Sequence, residues 1–418
     1  MKGKVFVALL ASVMGWALDL FDLFLLLFIA PVVGALFFPA SDPMLSLVGV
    51  YAGFAVSALV RPIGGMVCGS FADRRGRRVT LLATMTGVGI TTALMGALPT
   101  VAAIGPLATG LFVLLRVFQG LFVGGVNAAT HTIGTESVPP SWRGWAGGLI
   151  QGAGGGIGMV LASGVYKICV IAFPGDLFST WGWRFMFFSG ALSALVAFLL
   201  FSFLSESPYF AELQKSQITE KAPIKALFSA QYRGIVLLNC AVVIAGASLY
   251  YLTAGYLPVF LGVVSHLSRP EVADILMWTG VAGVLASVAA GQLGEIFGRR
   301  AVLWGCGAGG VILAGFAYQT LAITPVLALP LGLALSVVGN APCTLIFLNE
   351  RFPTAIRATG TAFCWNIGYG VGGMMPLFVT VLSPQALDIP IRLAWFLGVM
   401  GLLLLVCPFL FSETKGNF

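Results

Sequence analysis

A succession of apolar runs, each long enough to cross a lipid bilayer, governs what this 418-residue chain can fold into. A helical crossing needs about 20 largely apolar residues. A sliding hydropathy window finds twelve such runs, near 5–38, 45–72, 79–99, 107–135, 144–172, 183–204, 234–264, 275–297, 301–320, 324–349, 358–382 and 392–411. The one long polar gap, Ser205–Arg233, divides six runs from six. Backbone in hydrocarbon must satisfy its own hydrogen bonds, and runs of this length do so as helices. The expected fold is an all-α membrane protein of twelve transmembrane helices in two six-helix bundles, residues 1–204 and 234–418, with a cytoplasmic linker at 205–233.

Composition excludes the soluble alternatives. The chain is 59% hydrophobic and only 9% charged, against about 25% charged residues in soluble domains. The net charge of +7 would suit nucleic acid, but the basic residues sit in short gaps between apolar runs. The seven cysteines stand singly in apolar context, which argues against disulfides and metal sites. Met1-Lys-Gly-Lys4 before an apolar run resembles a signal peptide, yet the run is too long for one and carries two acids, so it reads as an uncleaved first span.

Charge sets the expected orientation. Lys2, Lys4, Arg74, Arg75, Arg77, Arg78, Arg143, Lys215, Lys221, Lys225, Arg233, Arg299, Arg300, Arg351, Arg357 and Lys415 fall on one side of the spans, and Lys167, Arg184, Arg269 and Arg392 on the other. The positive-inside bias makes both termini cytoplasmic. The halves also repeat. Gly69-Ser-Phe-Ala-Asp73-Arg-Arg-Gly76-Arg77-Arg78 follows span 2, and Gly291-Gln-Leu-Gly-Glu295-Ile-Phe-Gly298-Arg299-Arg300 follows span 8. Glu136-x-x-Pro139-x-x-x-Arg143 returns as Glu350-x-x-Pro353-x-x-x-Arg357, and Ser205-Glu206-Ser207 as Ser412-Glu413-Thr414. Matching loops on one membrane side imply parallel halves related by an axis along the membrane normal.

The first run carries the costliest residues. Asp19 and Asp22 lie within Gly15-Trp-Ala-Leu-Asp19-Leu-Phe-Asp22-Leu-Phe-Leu-Leu-Leu-Phe28, three residues apart and so on one helical face. Intramembrane acids mark ion or substrate paths, with structural bridging as the bland alternative.

These residues resemble those of the major facilitator superfamily across nearly the whole chain. Gly69–Arg78 looks like its loop 2–3 signature, and the later copy differs by Glu295 in place of Asp. Arg116-Val-Phe-Gln119-Gly120-x-x-x-Gly124 resembles the span-4 signature of proton-coupled members. Arg61-Pro-x-Gly64-Gly65, Gly182-Trp183-Arg184 and Tyr250-Tyr251-Leu-Thr253 are similar to the metabolite:proton symporters for citrate, α-ketoglutarate, shikimate and proline/betaine. The first span is more similar to the sialate and lactate symporters. Those families usually carry Gly-Gly-Glu in span 4, whereas Gly124-Gly125 here precedes Val126-Asn127. One proton-active acid of that pattern therefore lacks a counterpart at this position. The resemblance implies pseudo-symmetric bundles, alternating access and proton coupling. It also implies that Asp22 corresponds to a span-1 Asp that related sugar porters pair with the span-4 Arg.

Counting residues gives depth. Asp22, measured from Lys4, and Arg116, measured from Glu136, lie about 27 and about 30 Å from the same edge at 1.5 Å per residue. Asp19 and Arg61 form a second level at about 22 and about 18 Å. Because burial disfavours an ionised carboxylate and a nearby arginine favours it, Asp22 is expected to carry the proton, Arg116 to modulate it and Asp19 to titrate second. Arg61 is expected to hold an anion, with structural ion pairing as the alternative for both arginines. The second half is poor in interior charge but rich in polar groups. Gln151, Tyr250, Tyr251, Asn366 and Tyr369 join Arg61 as expected substrate residues, with Gln151 facing Asn366 across the axis. Gly69, Asp73, Gly76, Arg77, Arg78, Glu136, Arg143, Glu295, Arg299, Glu350 and Arg357 are expected to gate the cytoplasmic side. His131 reads as a packing residue. The runs Gly152–Gly158 and Gly305–Gly307 lack the strand and acid of a dinucleotide site and read as close helix crossings.

The expected function is a proton-coupled symporter that imports a small organic anion: a mono-, di- or tricarboxylate, or a carboxylate-bearing metal chelator. An exporter or antiporter and a betaine or amino-acid symporter are the alternatives. No enzyme constellation, metal site or cofactor beyond the proton gradient is expected, and no nucleic-acid partner. A monomer in a bacterial-type inner membrane would suffice.

Overall fold

The computed structural model describes residues 2–75, 77–136, 138–139, 142–202, 227–352 and 357–415, with side chains except at 2–4, 69–75, 77, 127–129, 131–133, 135–136, 153, 200–202 and 357–358. Among them the apolar runs are helices: α1 (Lys2–Phe28), α2 (Pro43–Arg75), α3 (Arg77–Ala97), α4 (Leu107–Glu136), α5 (Arg143–Ala172) and α6 (Trp183–Ser202) in the first half. The second half holds α7 (Arg233–Val264), α8 (Arg269–Phe297), α9 (Arg299–Ile323), α10 (Pro325–Arg351), α11 (Arg357–Gly372 continued by Met375–Val381) and α12 (Ala386–Leu410). Eleven helical segments among the described residues are long and apolar enough to cross a bilayer. The twelfth expected crossing, 358–382, falls short as a single helix because α11 breaks at residues 373–374, just before Pro376.

The first run also departs from expectation. It ends as a continuous helix at Phe28, and a separate helix, Ala30–Phe37, carries Pro31 in its first turn. Proline has no N–H to donate and fits a helix's first turn, so the chain turns there rather than running on. Most of the expected linker lies outside the described residues.

Packing follows the repeat read from the loops. In the first half α1 lies along α5, α2 along α4 and α3 along α6; in the second, α7 lies along α11, α8 along α10 and α9 along α12. Each pair is matched by its counterpart six helices later. The halves meet where α5 packs on α8 and α2 on α11. Large apolar side chains such as Leu237, Ile171, Leu285 and Trp395 are exposed, while Asp19, Asp22, Arg61 and Arg116 are buried. That inversion of the soluble pattern suits a lipid surround.

Close crossings set the positions of the arginines. A Cβ on Gly124 would lie 2.0 Å from the carbonyl oxygen of Arg61, and one on Gly120 2.3 Å from that of Ser57. Only glycine lets α4 approach α2 so nearly, which brings Arg61 and Arg116 into one layer. Pro62 leaves the Ala58 carbonyl without its helical donor, and Gly370 of α11 packs against that oxygen.

Candidate functional site

Asp19, Asp22, Arg61 and Arg116 are each 1–3% exposed. Asp19, Arg61 and Arg116 share a void of about 10 Å³ with Leu23, Ser57, Gln119 and Val123, room for about one water. Both Asp19 carboxylate oxygens lack a hydrogen-bond partner, as do Nε and Nη1 of Arg61 and Nε of Arg116. Buried polar groups are ordinarily satisfied, so this cluster keeps binding capacity in hand. Arg116 Nη1 donates to Gln119 Oε1, Gln119 Nε2 donates to Thr92 Oγ1 at 2.7 Å, and Thr92 Oγ1 to the Val88 carbonyl at 2.9 Å. The Arg116 guanidinium also stands over the Phe54 ring at 5.3 Å.

Asp22 is elsewhere. Its oxygens lie 3.3 and 3.4 Å from Ser193 Oγ on α6, and Ser193 donates to the Gly190 carbonyl at 2.9 Å. Among the described residues no ion pair joins Asp22 to Arg116. The depth-matched pairing is corrected on this point: Arg116 stands with Asp19 and Arg61. Residue counting measures height alone. Three residues also turn a helix by about 60°, which points Asp22 at α6 and Asp19 at α2 and α4. Gln119 and Ser193 are thus site residues; Gln119 was within reach as part of the span-4 signature, whereas nothing around Ser193 marks it in the sequence.

Across the interface the second half supplies an aromatic wall. Tyr251 meets Phe54 at 5.8 Å and Tyr369 at 6.2 Å, and Tyr369 stacks on Trp365 at 4.5 Å. Trp16, three residues before Asp19, stands edge-on to Trp365 and Tyr369, each at 5.7 Å. Tyr250 meets Phe24 of α1 at 6.1 Å. The hydroxyls of Tyr250 and Tyr251 are buried without a hydrogen-bond partner, and Arg61 is near enough to act electrostatically on Asp19 and Tyr251 alike. Asn366 donates to the Ala362 carbonyl at 3.1 Å and keeps Oδ1 unpartnered.

Gln151 does not face Asn366. It sits in a π-helical turn, residues 149–153, and its side chain is committed to α10. Helix α10 is interrupted between Ala328–Asn340 and Thr344–Arg351 by Ala341-Pro342-Cys343. Gln151 Nε2 donates to the Pro342 carbonyl and, at 3.0 Å, to Thr344 Oγ1, while Oε1 accepts the Leu345 N–H at 2.8 Å. A helix break inside a membrane protein needs such partners. The π turn also presents the Gln151 carbonyl to Trp16 Nε1 at 2.9 Å. Repeat alignment compares positions in sequence and cannot see the α10 break.

At the end of the bundle holding the termini, Arg299 donates from Nε and Nη2 to Glu350, at 2.7–3.2 Å, and from Nη2 to Glu295 at 2.7 Å. Thr414 Oγ1 donates to Glu350 at 2.9 Å. Glu413 accepts the backbone N–H groups of Arg299, Arg300, Thr414 and Lys415 at 2.9–3.2 Å. Partial burial opposes its ionisation, but these donors hold its carboxyl below the usual range. The joint before Arg299 is Gly298 at φ 94°, where a Cβ would meet Glu413 Oε2 at 2.3 Å. Glu295 also reaches the other half: its Oε1 lies 1.7 Å from where a Cβ on Gly144 of α5 would stand. The side chains of Asp73, Arg77, Glu136 and Arg357, and Gly76 altogether, lie outside the described residues, Gly69 is described by its helical backbone alone, and Arg78 and Arg143 are half-buried.

The Major Facilitator Superfamily profile matches residues 23–376. The chain belongs to that superfamily. This facilitator is 32% identical over 422 residues to the inner membrane metabolite transport protein YhjE of Escherichia coli, covering 97% of this chain and 94% of the relative. It is 27% identical to the proline/betaine transporter of Salmonella typhimurium, over 99% of this chain and 85% of the other. It is 28% identical to the citrate-proton symporter of Salmonella typhi, over 91% and 88%. The Escherichia coli xylose transporter XylE, in a partially occluded inward-open conformation, superposes with a TM-score of 0.78 at 21% identity, over 99% of both chains, a likeness of fold. The facilitator is therefore a multi-pass membrane transporter of metabolites and not an enzyme, with proton-coupled symporters among its relatives.

Proposed function

We propose that this facilitator is a proton-driven symporter importing a small organic anion by alternating access. On this reading the bundles are residues 1–204 and 234–418, joined by a cytoplasmic linker at 205–233, and both termini are cytoplasmic. One observation carries the proposal: an unpartnered carboxylate, Asp19, shares a void with two guanidinium groups that keep unused donors, with Tyr251 close to Arg61. A substrate carboxylate arriving between the halves competes with Asp19 for Arg61, which offers a planar fork matched to such an anion. Binding is then strongest when Asp19 is protonated, which couples substrate to proton.

Asp22 acts as the proton carrier. Ser193 has one proton and a good acceptor in the Gly190 carbonyl, so its longer contacts to Asp22 suit a carboxyl that brings its own proton. Arg116, bonded to Gln119, which in turn bonds Thr92, modulates Asp22 when α4 shifts against α1. Glu295 against Gly144 closes the cytoplasmic end, and the Arg299–Glu350 pair braces the α8–α9 joint that carries Glu295.

The aromatic wall favours a second reading. Tyr251 and Tyr369 lie within electrostatic reach of Arg61, with Trp16 and Trp365 packed on Tyr369, and aromatic faces bind quaternary ammonium groups, so a betaine-like zwitterion meets complementary chemistry at both ends. The test is a thermal-shift panel of carboxylates, betaines and amino acids, followed by flux in proteoliposomes under pH gradients of either sign. Symport predicts accumulation of the stabilising solute when the outside is acidic. Accumulation only when the lumen is acidic would identify an antiporter instead.

A further inference from the structure

At the end opposite the termini a cavity of about 570 Å³ opens between the halves, within the usual size range of small-molecule sites. Phe28, Tyr166, Phe173 and Phe178 wall it from the first half and Leu267 and Arg269 from the second. Arg269 is the one charged residue in the lining among the described residues. Its guanidinium lies over the Phe178 ring at 4.6 Å and donates through Nη1 to the Gly175 carbonyl at 3.2 Å, and it makes no ion pair with a described residue. A guanidinium carries five N–H donors, so an edge of the fork stays unused. Of the acids nearby, Glu271 accepts the Ser268 N–H and hydroxyl at 2.9 and 2.6 Å and Asp274 pairs with Lys167, while Asp176, next to Gly175, is exposed and makes no ion pair with Arg269.

A second polar group converges on the same space. Tyr166 is 5% exposed and wedged edge-on between Phe28 at 5.8 Å and Phe178 at 5.7 Å. It lines the cavity and lies within electrostatic reach of Arg269. A fixed guanidinium edge and a tyrosine hydroxyl, set in walls of phenyl, prolyl and aliphatic groups, are complementary to a carboxylate joined to an apolar body. Phe28 and Phe24, 5.6 Å apart, stand between this cavity and Tyr250 of the central site.

We propose that the Arg269–Tyr166 cavity is a separate vestibule site for carboxylates carrying an apolar chain or ring, occupied without engagement of the central cluster. The probes are hexanoate, hexylammonium and hexanol, titrated calorimetrically into the full chain in nanodiscs, with palmitate as the membrane-derived source of the same chemistry. Saturable hexanoate binding is expected, at least tenfold tighter than either analogue. Arg269→Gln should weaken it at least tenfold and Tyr166→Phe several-fold, with Arg61→Gln leaving it unchanged. Loss in Arg61→Gln but not Arg269→Gln would assign the binding to the central site and overturn the proposal. So would equal binding of hexanol, palmitate binding without hexanoate binding, or no saturable binding. Should the variants fold poorly, a diazirine-bearing hexanoate on the unaltered protein decides: labelling within residues 28–32, 166–178 and 258–272 supports the site, and labelling confined to other segments overturns it. Because Arg61→Gln reports on the central cluster and Arg269→Gln on the vestibule, failure at Arg269 leaves the symport reading standing, and the converse also holds.

Discussion

Replacing Gln151 with alanine removes the amide that joins α5 of one half to the interrupted α10 of the other. Three hydrogen bonds disappear: two from Nε2, to the Pro342 carbonyl and Thr344 Oγ1, and one from the Leu345 N–H to Oε1. Each contributes about 1 kcal/mol net. An open state in which water reaches the α10 break does not suffer this loss, so the variant shifts the occluded–open balance by about 2–3 kcal/mol. At 1.4 kcal/mol per decade that is about 30- to 150-fold towards the open form. Cys343 lies in the break itself and is 4% exposed, which makes it a native reporter. Its alkylation by N-ethylmaleimide, followed by peptide mass spectrometry, should accelerate by at least about 30-fold in Gln151→Ala. Cys306, buried on α9, should not change. An unaltered Cys343 rate would refute the clamp, and equal acceleration at both cysteines would mean general loosening.

Two further outcomes follow from the network at the terminal end. Glu350→Ala leaves Arg299, which is 2% exposed at its side chain, with only Glu295; removing one partner of a buried pair costs about 3–5 kcal/mol. Thermal unfolding in detergent should show that loss, and Arg299→Met combined with Glu350→Leu should cost less than the two single changes added. Glu413, held below the ordinary carboxylate range by backbone donors, contributes stability above its unfolded pKa of about 4.3. That contribution disappears as pH falls through its lower folded value, so Glu413→Gln should lower the melting temperature at pH 7 and match the unaltered chain in strong acid.

The crossings, their order and the duplication were legible in the sequence because apolar length and loop motifs are one-dimensional properties, and the matched helix pairs of the two halves follow from them. The acids and arginines were legible as a set, since lipid makes every interior charge costly. Their partners were not. Height comes from counting, but direction around a helix depends on neighbours, and a turn of about 60° separates Asp22, beside Ser193, from Asp19 between the arginines. Gln151 misled for a related reason. A buried amide in a span reads as a ligand for substrate until the Pro342 break that consumes it is seen. Tyr166 and Arg269 had no signal at all, because their meeting depends on α5 and α8 crossing between halves.

On the proposed reading the buried carboxylates of α1 link proton movement to substrate movement. Reconstituted Asp22→Asn protein, given a stabilising solute from the panel, tests it most directly through two fluxes measured side by side. Proton-driven accumulation should vanish while substrate counterflow at equal pH persists. Accumulation that survives the substitution would contradict the account.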